Sequence, residues 1–577
     1  MAIGIAEHDS SVGAGQPPPR GSRWGPVAQF TALAVLYFVV GAVLAMRYNI
    51  FDGDGLSRVA NAGYVVLSRD PHLSAIGFVW NPLPSLIEIP LVPLSRWWPE
   101  LRTFGLAGAV QSSLFMAGSA MMVRQIAIDR SVPNAYRLIV VGCFALNPMI
   151  VLVAAFGLSE AATMFCVLWC ARHLLRWVGS MRTTDLAGAG LALGVGYLAR
   201  YDVLATAAGV AVLVAAVAYR RSARETRTQS MLVCSIIAVF PTVMAVTIWA
   251  VTSWVISGEL FATVTSVYGN ASQVEVARMR GGEAAFTTGN WRLIAALLWA
   301  MQPFAGIAVA VAVVAAALTR TADTLVPVAT FGAMLAFVVW GQFTGNTFNL
   351  FRYYLPAIPL VLVIALALWT TTSGPPRWRR LESRLKRLGV VLVCASAVIG
   401  VPVTSRSMFN ANLGVRQQLA AVTSLFGGGQ DAYAQPTRRI GYDDRLVARH
   451  LDRKNLPPGS VLMDTSTSWL VWLASEDPKQ FVITSDFDFT TALNRPWDMG
   501  VKYFVISNPR SSAASAIQLR YPTMWADGAG IGELAFQVDG TNNEHRWRVY
   551  RVVEPTPTAL APRLRVPPAT PIGQVPR

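Results

Sequence analysis

Apolar residues run along this chain in stretches far too long for a soluble core, and they thin out sharply after residue 404. A helix crossing a hydrocarbon layer of about 30 Å needs about 20 mostly apolar residues, because no backbone amide can stay unpaired there. Eleven runs approach that length, at 28–46, 104–123, 138–156, 160–178, 185–200, 203–219, 231–257, 293–318, 325–342, 353–371 and 388–404. They predict a polytopic α-helical membrane protein. The first run could also serve as a signal-peptide core, with Val43 and Ala45 suiting a cleavage site, but 19 residues is long for one and a retained span is expected.

After the last run the pattern changes. Ser460–Asp464, Gln480–Ser485 and Lys502–Ile506 read as short buried strands, separated by helical stretches around Trp469–Leu473 and Phe489–Leu493. Glu533–Val538 and Arg546–Val553 read as closing strands, so residues 405–553 predict a small α/β domain. Residues 554–577, rich in Pro and Ala, predict a disordered tail, and the polar residues 1–27, with Pro17–Pro19, a disordered N-terminus.

Composition supports the membrane reading: of 577 residues 53% are hydrophobic and 14% charged, against about 25% charged in soluble domains. The net charge of +16 does not point to nucleic acid, because the basic residues form short clusters between apolar runs rather than one basic face. Loops on one side, from Arg20 to Arg387, hold nineteen basic residues and those on the other side ten, which predicts a cytoplasmic N-terminus and an extracytoplasmic C-terminal domain. Only four of the 48 basic residues are lysines, a bias that fits a GC-rich genome. All five cysteines lie in apolar runs without zinc-site spacing.

Between their ends the apolar runs contain almost no ionisable group, which disfavours an ion-coupled carrier. Carboxylates and arginines gather instead at the outer ends. The first outer loop, 47–103, opens with Asp52-Gly53-Asp54, two carboxylates that can act as a general base or hold a divalent cation, or form a plain Asp/Gly turn. It continues through Arg58, Arg69, Asp70, His72 and Trp80-Asn81-Pro82, long and amphipathic enough for interfacial helices, with Trp80, Trp97 and Trp98 as anchors. Other span ends bear Asn147-Pro148 with Ser159-Glu160, Ala199-Arg200-Tyr201-Asp202, and Arg352-Tyr353-Tyr354-Leu355-Pro356. An arginine at this depth can pair with a lipid-linked phosphate, snorkel, or pair locally, as Arg200 could with Asp202.

This arrangement resembles the C-type membrane glycosyltransferases, multi-span enzymes that use polyprenyl-phosphate sugars at the outer face, of the kind found in bacterial envelope assembly. The resemblance covers residues 28–404 and rests on the aspartates of the first outer loop, the Asn-Pro and Ser-Glu pair, and the Ala-Arg-Tyr-Asp and Arg-Tyr-Tyr-Leu-Pro motifs. It implies a bacterial plasma-membrane enzyme that transfers a sugar to a hydroxyl of an envelope glycan or glycoprotein with inversion. Asp52 or Asp54 would be the catalytic base, Arg58, Arg200, Arg352 and Tyr353 would bind the donor phosphate, and His72, Asn81, Glu160 and Asp202 would bind substrate. Gly53 separates the aspartates where many members have adjacent acids, so both registers stay open and no metal ligand is assigned by analogy. A non-catalytic translocator or assembly scaffold for lipid-linked glycans is the second reading, and an envelope sensor the third. In the C-terminal domain, Trp469, Trp472 and Trp497 offer either sugar stacking or ordinary core packing.

Overall fold

The computed structural model describes residues 24–266, 268–279, 288–369, 376–410, 413, 416–426, 440–509, 515–539 and 545–554. Of the expected tail, 554–577, all but Glu554 lies outside them; of the expected disordered N-terminus, 1–27, residues up to 23 lie outside them, while Trp24–Val27 already belong to the first helix, Trp24–Ala42. Helices dominate, and a five-stranded sheet follows near the C-terminus.

Among the described residues, six helices are long and apolar enough to cross a bilayer: Gly25–Arg47, Leu106–Asp129, Val203–Arg221, Arg227–Ser257, Leu325–Phe343 and Arg380–Met408. Two bent pairs, Asn134–Ala145 with Pro148–Ala155 (57°) and Trp291–Met301 with Ala305–Thr319 (81°), bring the number to eight if each is one span. The three remaining expected spans are helical too but fall outside that criterion. They are Ser159–Ser180, which carries Glu160, Arg172 and Arg176; Thr183–Ala199, with 17 residues; and the short apolar stretch Phe351–Ala367. The first bend has a local cause. Pro148 opens a new helix, and the Asn147 side chain caps it by accepting from the Met149 amide at 3.0 Å.

Two close approaches place the first helix and the first loop on this bundle. A Cβ on Gly41 would lie 2.4 Å from the Ala155 carbonyl oxygen, so the first helix packs backbone to backbone on Pro148–Ala155. A Cβ on Gly55 would lie 2.0 Å from the Phe156 carbonyl oxygen, which presses the Gly53–Leu67 helix onto the turn at Gly157. Gly157 itself adopts φ +72°, the left-handed conformation that lets this turn lead directly into Ser159–Ser180. Asp54 and Glu160, at the starts of two helices, are thereby brought to one place.

The C-terminal sheet has strands β1 (Val461–Met463), β2 (Phe481–Val482), β3 (Tyr503–Ser507), β4 (Gly532–Asp539) and β5 (His545–Val552) in the order β2-β1-β3-β5-β4. The first three are parallel, and β5 is antiparallel to β3 and β4. The helix Thr465–Ala474 leaves β1 and docks on the first loop. Trp472 is fully buried there, edge-to-face with Tyr64 at 4.8 Å and hard against Gly63. Arg102 donates to the carbonyls of Trp472 (3.1 Å) and Ser475 (2.5 Å). Arg69 holds Asp486 (3.1 Å) and Asp488, and the Phe487 amide donates to Asp70. Burial pushes the Asp486 carboxyl up to about 6, against the pull of Arg69.

Gly55→Ala tests the tightest of these approaches. The added methyl meets a backbone carbonyl that cannot rotate away, so a cost of about 1–3 kcal/mol is expected. Thermal unfolding in detergent should show a clear drop relative to Gly25→Ala, where nothing stands within 4 Å. Equal midpoints would mean that the two helices are not in contact at this point.

Candidate active site

The loop aspartates do not hang in solvent. Asp52 is the N-cap of Gly53–Leu67 and accepts from the Asp54 amide at 3.0 Å, which turns both carboxylates toward the same side. Arg352 meets them there. It sits on the buried turn Phe351–Tyr354, between Leu325–Phe343 and the apolar helix Ala357–Ala367. Its Nη1 donates to Asp52 Oδ2 at 2.5 Å and its Nη2 to Asp54. Nε lies 3.2 Å from Glu160 Oε1, so one guanidinium faces three carboxylates from two helices.

A second arginine extends the cluster. Arg200, in the extended break between Thr183–Ala199 and Val203–Arg221, reaches Glu160 Oε1 (2.9 Å) and donates to Asp202 Oδ2 (2.9 Å). Tyr353 lies beneath both guanidiniums, with Arg200 5.3 Å and Arg352 5.9 Å from its ring centroid. Arg58 is behind them, buried, donating to Ser159 Oγ at 3.1 Å and to the Asn81 carbonyl at 3.4 Å, with Trp80 against its face. Asn81 ties this group to the bundle by donating to the Tyr197 carbonyl at 2.6 Å.

The structure therefore brings together Asp52, Asp54, Glu160, Arg200, Asp202, Arg352 and Tyr353, with Arg58 and Asn81 as their support. His72 stands apart. Its Nδ1 is 2.7 Å from the Asp70 carbonyl oxygen and its ring stacks on Phe487 at 4.4 Å, in the seam with the C-terminal domain.

The two aspartates differ in access. The Asp52 side chain is 11% exposed and that of Asp54 38%. Burial pushes the Asp52 carboxyl up to about 6, against the Arg352 charge, which favours the ionised form. With Oδ1 capping the helix and Oδ2 on Arg352, Asp52 has neither oxygen free. Asp54 presents the open face.

On the bundle side the cluster forms the head of a narrow, partly open cleft. Glu160, Arg200, Asp202, Arg352 and Tyr353 line one end, while Val167, Phe331, Met334, Leu355 and Pro356 supply apolar walls. Val167, Phe331 and Met334 carry no signal in the sequence, because each is an ordinary apolar position of a helix, whereas Leu355 and Pro356 belong to the Arg-Tyr-Tyr-Leu-Pro motif. Glu160 Oε1, Asp202 Oδ1 and Arg352 Nε are buried without an aligned hydrogen bond. Glu160 Oε1 and Arg352 Nε face each other at 3.2 Å, and Asp202 Oδ1 is a further acceptor at the charged end.

The Arg352 guanidinium stands among Asp52, Asp54 and Glu160, and among the described residues no group of three His, Cys, Asp or Glu is placed to hold a metal ion. What this arrangement offers is anion binding beside a carboxylate that an incoming hydroxyl can reach.

No family model matches this sequence, and no curated protein sequence matches it. Solved structures similar to it include ArnT from Cupriavidus metallidurans bound to undecaprenyl phosphate, at 15% identity over 92% of this chain and 99% of that chain, with TM-score 0.47. The apo state of the same protein has TM-score 0.46, with the same identity and coverage. The archaeal oligosaccharyltransferase AglB from Archaeoglobus fulgidus, in complex with an inhibitory peptide and a dolichol-phosphate, is 11% identical over 91% of this chain and 74% of that chain, with TM-score 0.40.

Proposed function

We propose that this protein is a membrane glycosyltransferase of the C type, transferring a sugar from a polyprenyl-phosphate donor to a hydroxyl of an envelope glycan or glycoprotein. One observation carries the reading: a cleft with apolar walls ends in a cluster of arginines that abuts a solvent-accessible carboxylate. The apolar walls suit a prenyl chain in chemistry, Arg352 and Arg200 suit its phosphate, and an acceptor hydroxyl approaching from the open side meets Asp54. In this reading the chain makes eleven spans of a bacterial plasma membrane, with the N-terminus cytoplasmic and the α/β domain extracytoplasmic.

The charge balance suggests how the site is switched on. Four carboxylates pair with two guanidiniums, so an arriving phosphate must take arginine contacts from carboxylates that hold them at rest. Arg352 exchanging Asp54 for the donor phosphate leaves Asp54 free as general base. The acceptor oxygen then attacks the anomeric carbon, its proton passing to Asp54. The bond from that carbon to the phosphate oxygen breaks, and polyprenyl phosphate leaves with the negative charge that Arg352 and Arg200 stabilise. A single displacement inverts the configuration. Asp52 keeps Arg352 in place throughout.

A translocator would require a polar path through the bundle. On Ser159–Ser180, the helix below the cleft, Val167, Leu168, Cys170, Ala171 and Leu174 belong to one buried apolar cluster, which favours an enzyme over a conduit.

The test uses purified protein in lipid nanodiscs and a panel of undecaprenyl-phosphate monosaccharides, with release of undecaprenyl phosphate as readout. Asp54→Asn should lower kcat by about 10²–10⁴-fold, the usual contribution of a general base. Asp52→Asn keeps the cap and loses the charge on Arg352, and should leave more activity than Asp54→Asn. Full turnover in both single variants and the double variant would end this mechanism. Arg352→Lys retains one charge but cannot reach three carboxylates and a phosphate at once, so donor KM should rise more than acceptor KM. Equal rises would remove Arg352 from the donor site.

The pH profile supplies a separate check. Asp52 protonates as pH falls through about 6 and then loses its charge on Arg352. The kcat/KM of the wild type should therefore decline on the acid side with a midpoint near 6, and Asp52→Asn should abolish that limb. An unchanged limb in Asp52→Asn would assign it to another group.

A further inference from the structure

The C-terminal domain comes closer to the aspartates than docking alone requires. Its helix Thr465–Ala474 uses Trp472 as the buried anchor and, one turn earlier, carries Trp469, which is only half-buried. A Cβ on Gly53 would lie 4.0 Å from Cζ2 of Trp469, so this ring faces the backbone that joins Asp52 to Asp54 across a gap about one methyl group wide. Because Gly53 has no side chain, nothing from that position separates the ring from the carboxylates on either side.

The surroundings of Trp469 are polar on the outer side. Ser466, at the start of the same helix, is exposed, and its neighbour Thr465 pairs with Thr484. The phenol of Tyr268, from the segment between Arg227–Ser257 and Trp291–Met301, interacts with the Ser466 side chain. An aromatic face with hydroxyls beside it matches a saccharide, which presents an apolar C–H face to a ring and hydroxyls at its rim. The exposed side of Asp54 is the side from which an acceptor must come.

We propose that Trp469, with Ser466 and Tyr268, forms the acceptor subsite, stacking a sugar ring so that one of its hydroxyls, or one on the next residue, is held against Asp54. The acceptor is then a carbohydrate chain rather than a bare peptide side chain or a lipid headgroup. This rests on the glycosyltransferase reading above. Trp469 acts here as an acceptor-binding residue, and the C-terminal domain supplies part of the site instead of covering it.

The test compares Trp469→Leu, which keeps apolar bulk without an aromatic face, with Trp469→Phe, which keeps a ring. Full-length protein in nanodiscs is assayed with the undecaprenyl-phosphate sugar that the wild type turns over and with two acceptors, an octyl pyranoside and an octyl furanoside. Trp469→Leu should raise the acceptor KM roughly three- to tenfold, more than it lowers kcat, and Trp469→Phe should stay within about twofold of the wild type. A wild-type KM in Trp469→Leu, or a wild-type rate indifferent to both glycosides, would overturn the subsite. The outcomes separate the two levels. If Trp469→Leu is silent while Asp54→Asn is dead, the subsite falls and the enzyme reading stands; if Asp54→Asn and Asp52→Asn both turn over normally, the enzyme reading itself falls.

Discussion

The site depends on one buried guanidinium. Arg352 is 6% exposed, and a charge so far from water is tolerated only if opposite charges with good geometry replace its hydration. Asp52, Asp54 and Glu160 supply them, from two helices separated by about a hundred residues in sequence and far from Arg352 itself. Removing any one partner leaves the rest miscompensated, so the cluster is both a structural tie and a poised exchange. A phosphate is among the few ligands that can replace a carboxylate on the same donors without leaving the arginine unpaired.

Holding such a cluster requires rigid surroundings, which glycine contacts provide. Gly41 and Gly55 let backbones touch at the Ala155–Gly157 corner, so the first loop has little freedom to drift from the start of Ser159–Ser180. The C-terminal domain clamps the same loop from above through Trp472, Arg102 and Arg69. The domain and the bundle meet at the aspartates, so the proposed donor and acceptor sides of the site are built by different parts of the chain.

Much of this was legible in the sequence because membranes impose simple rules. Apolar runs marked the long helices between residues 28 and 404, and the near absence of ionisable groups within them made the charges at their ends conspicuous. Asp52, Asp54, Glu160, Arg200, Asp202 and Arg352 could be picked out on that ground. Alternation likewise indicated the strands of the small sheet. The span count was less accessible, since Thr183–Ala199 and Phe351–Ala367 are short helices embedded among others, and composition does not distinguish such a helix from one that crosses alone. His72 shows another limit: a polar residue in the right loop faces whichever partner the tertiary fold provides, here Phe487. Phe331 and Met334 were invisible as cleft walls because apolar residues look alike until the helices are packed. The different fates of Trp469 and Trp472 had the same cause.

The most direct measurement of the central claim is a cryo-electron microscopy structure of the protein in nanodiscs with undecaprenyl phosphate. The phosphate should lie against Arg352 and Arg200 at the head of the apolar cleft, with the Asp54 carboxylate released from the guanidinium. Lipid phosphate bound elsewhere, with Arg352 still shared among Asp52, Asp54 and Glu160, would contradict it.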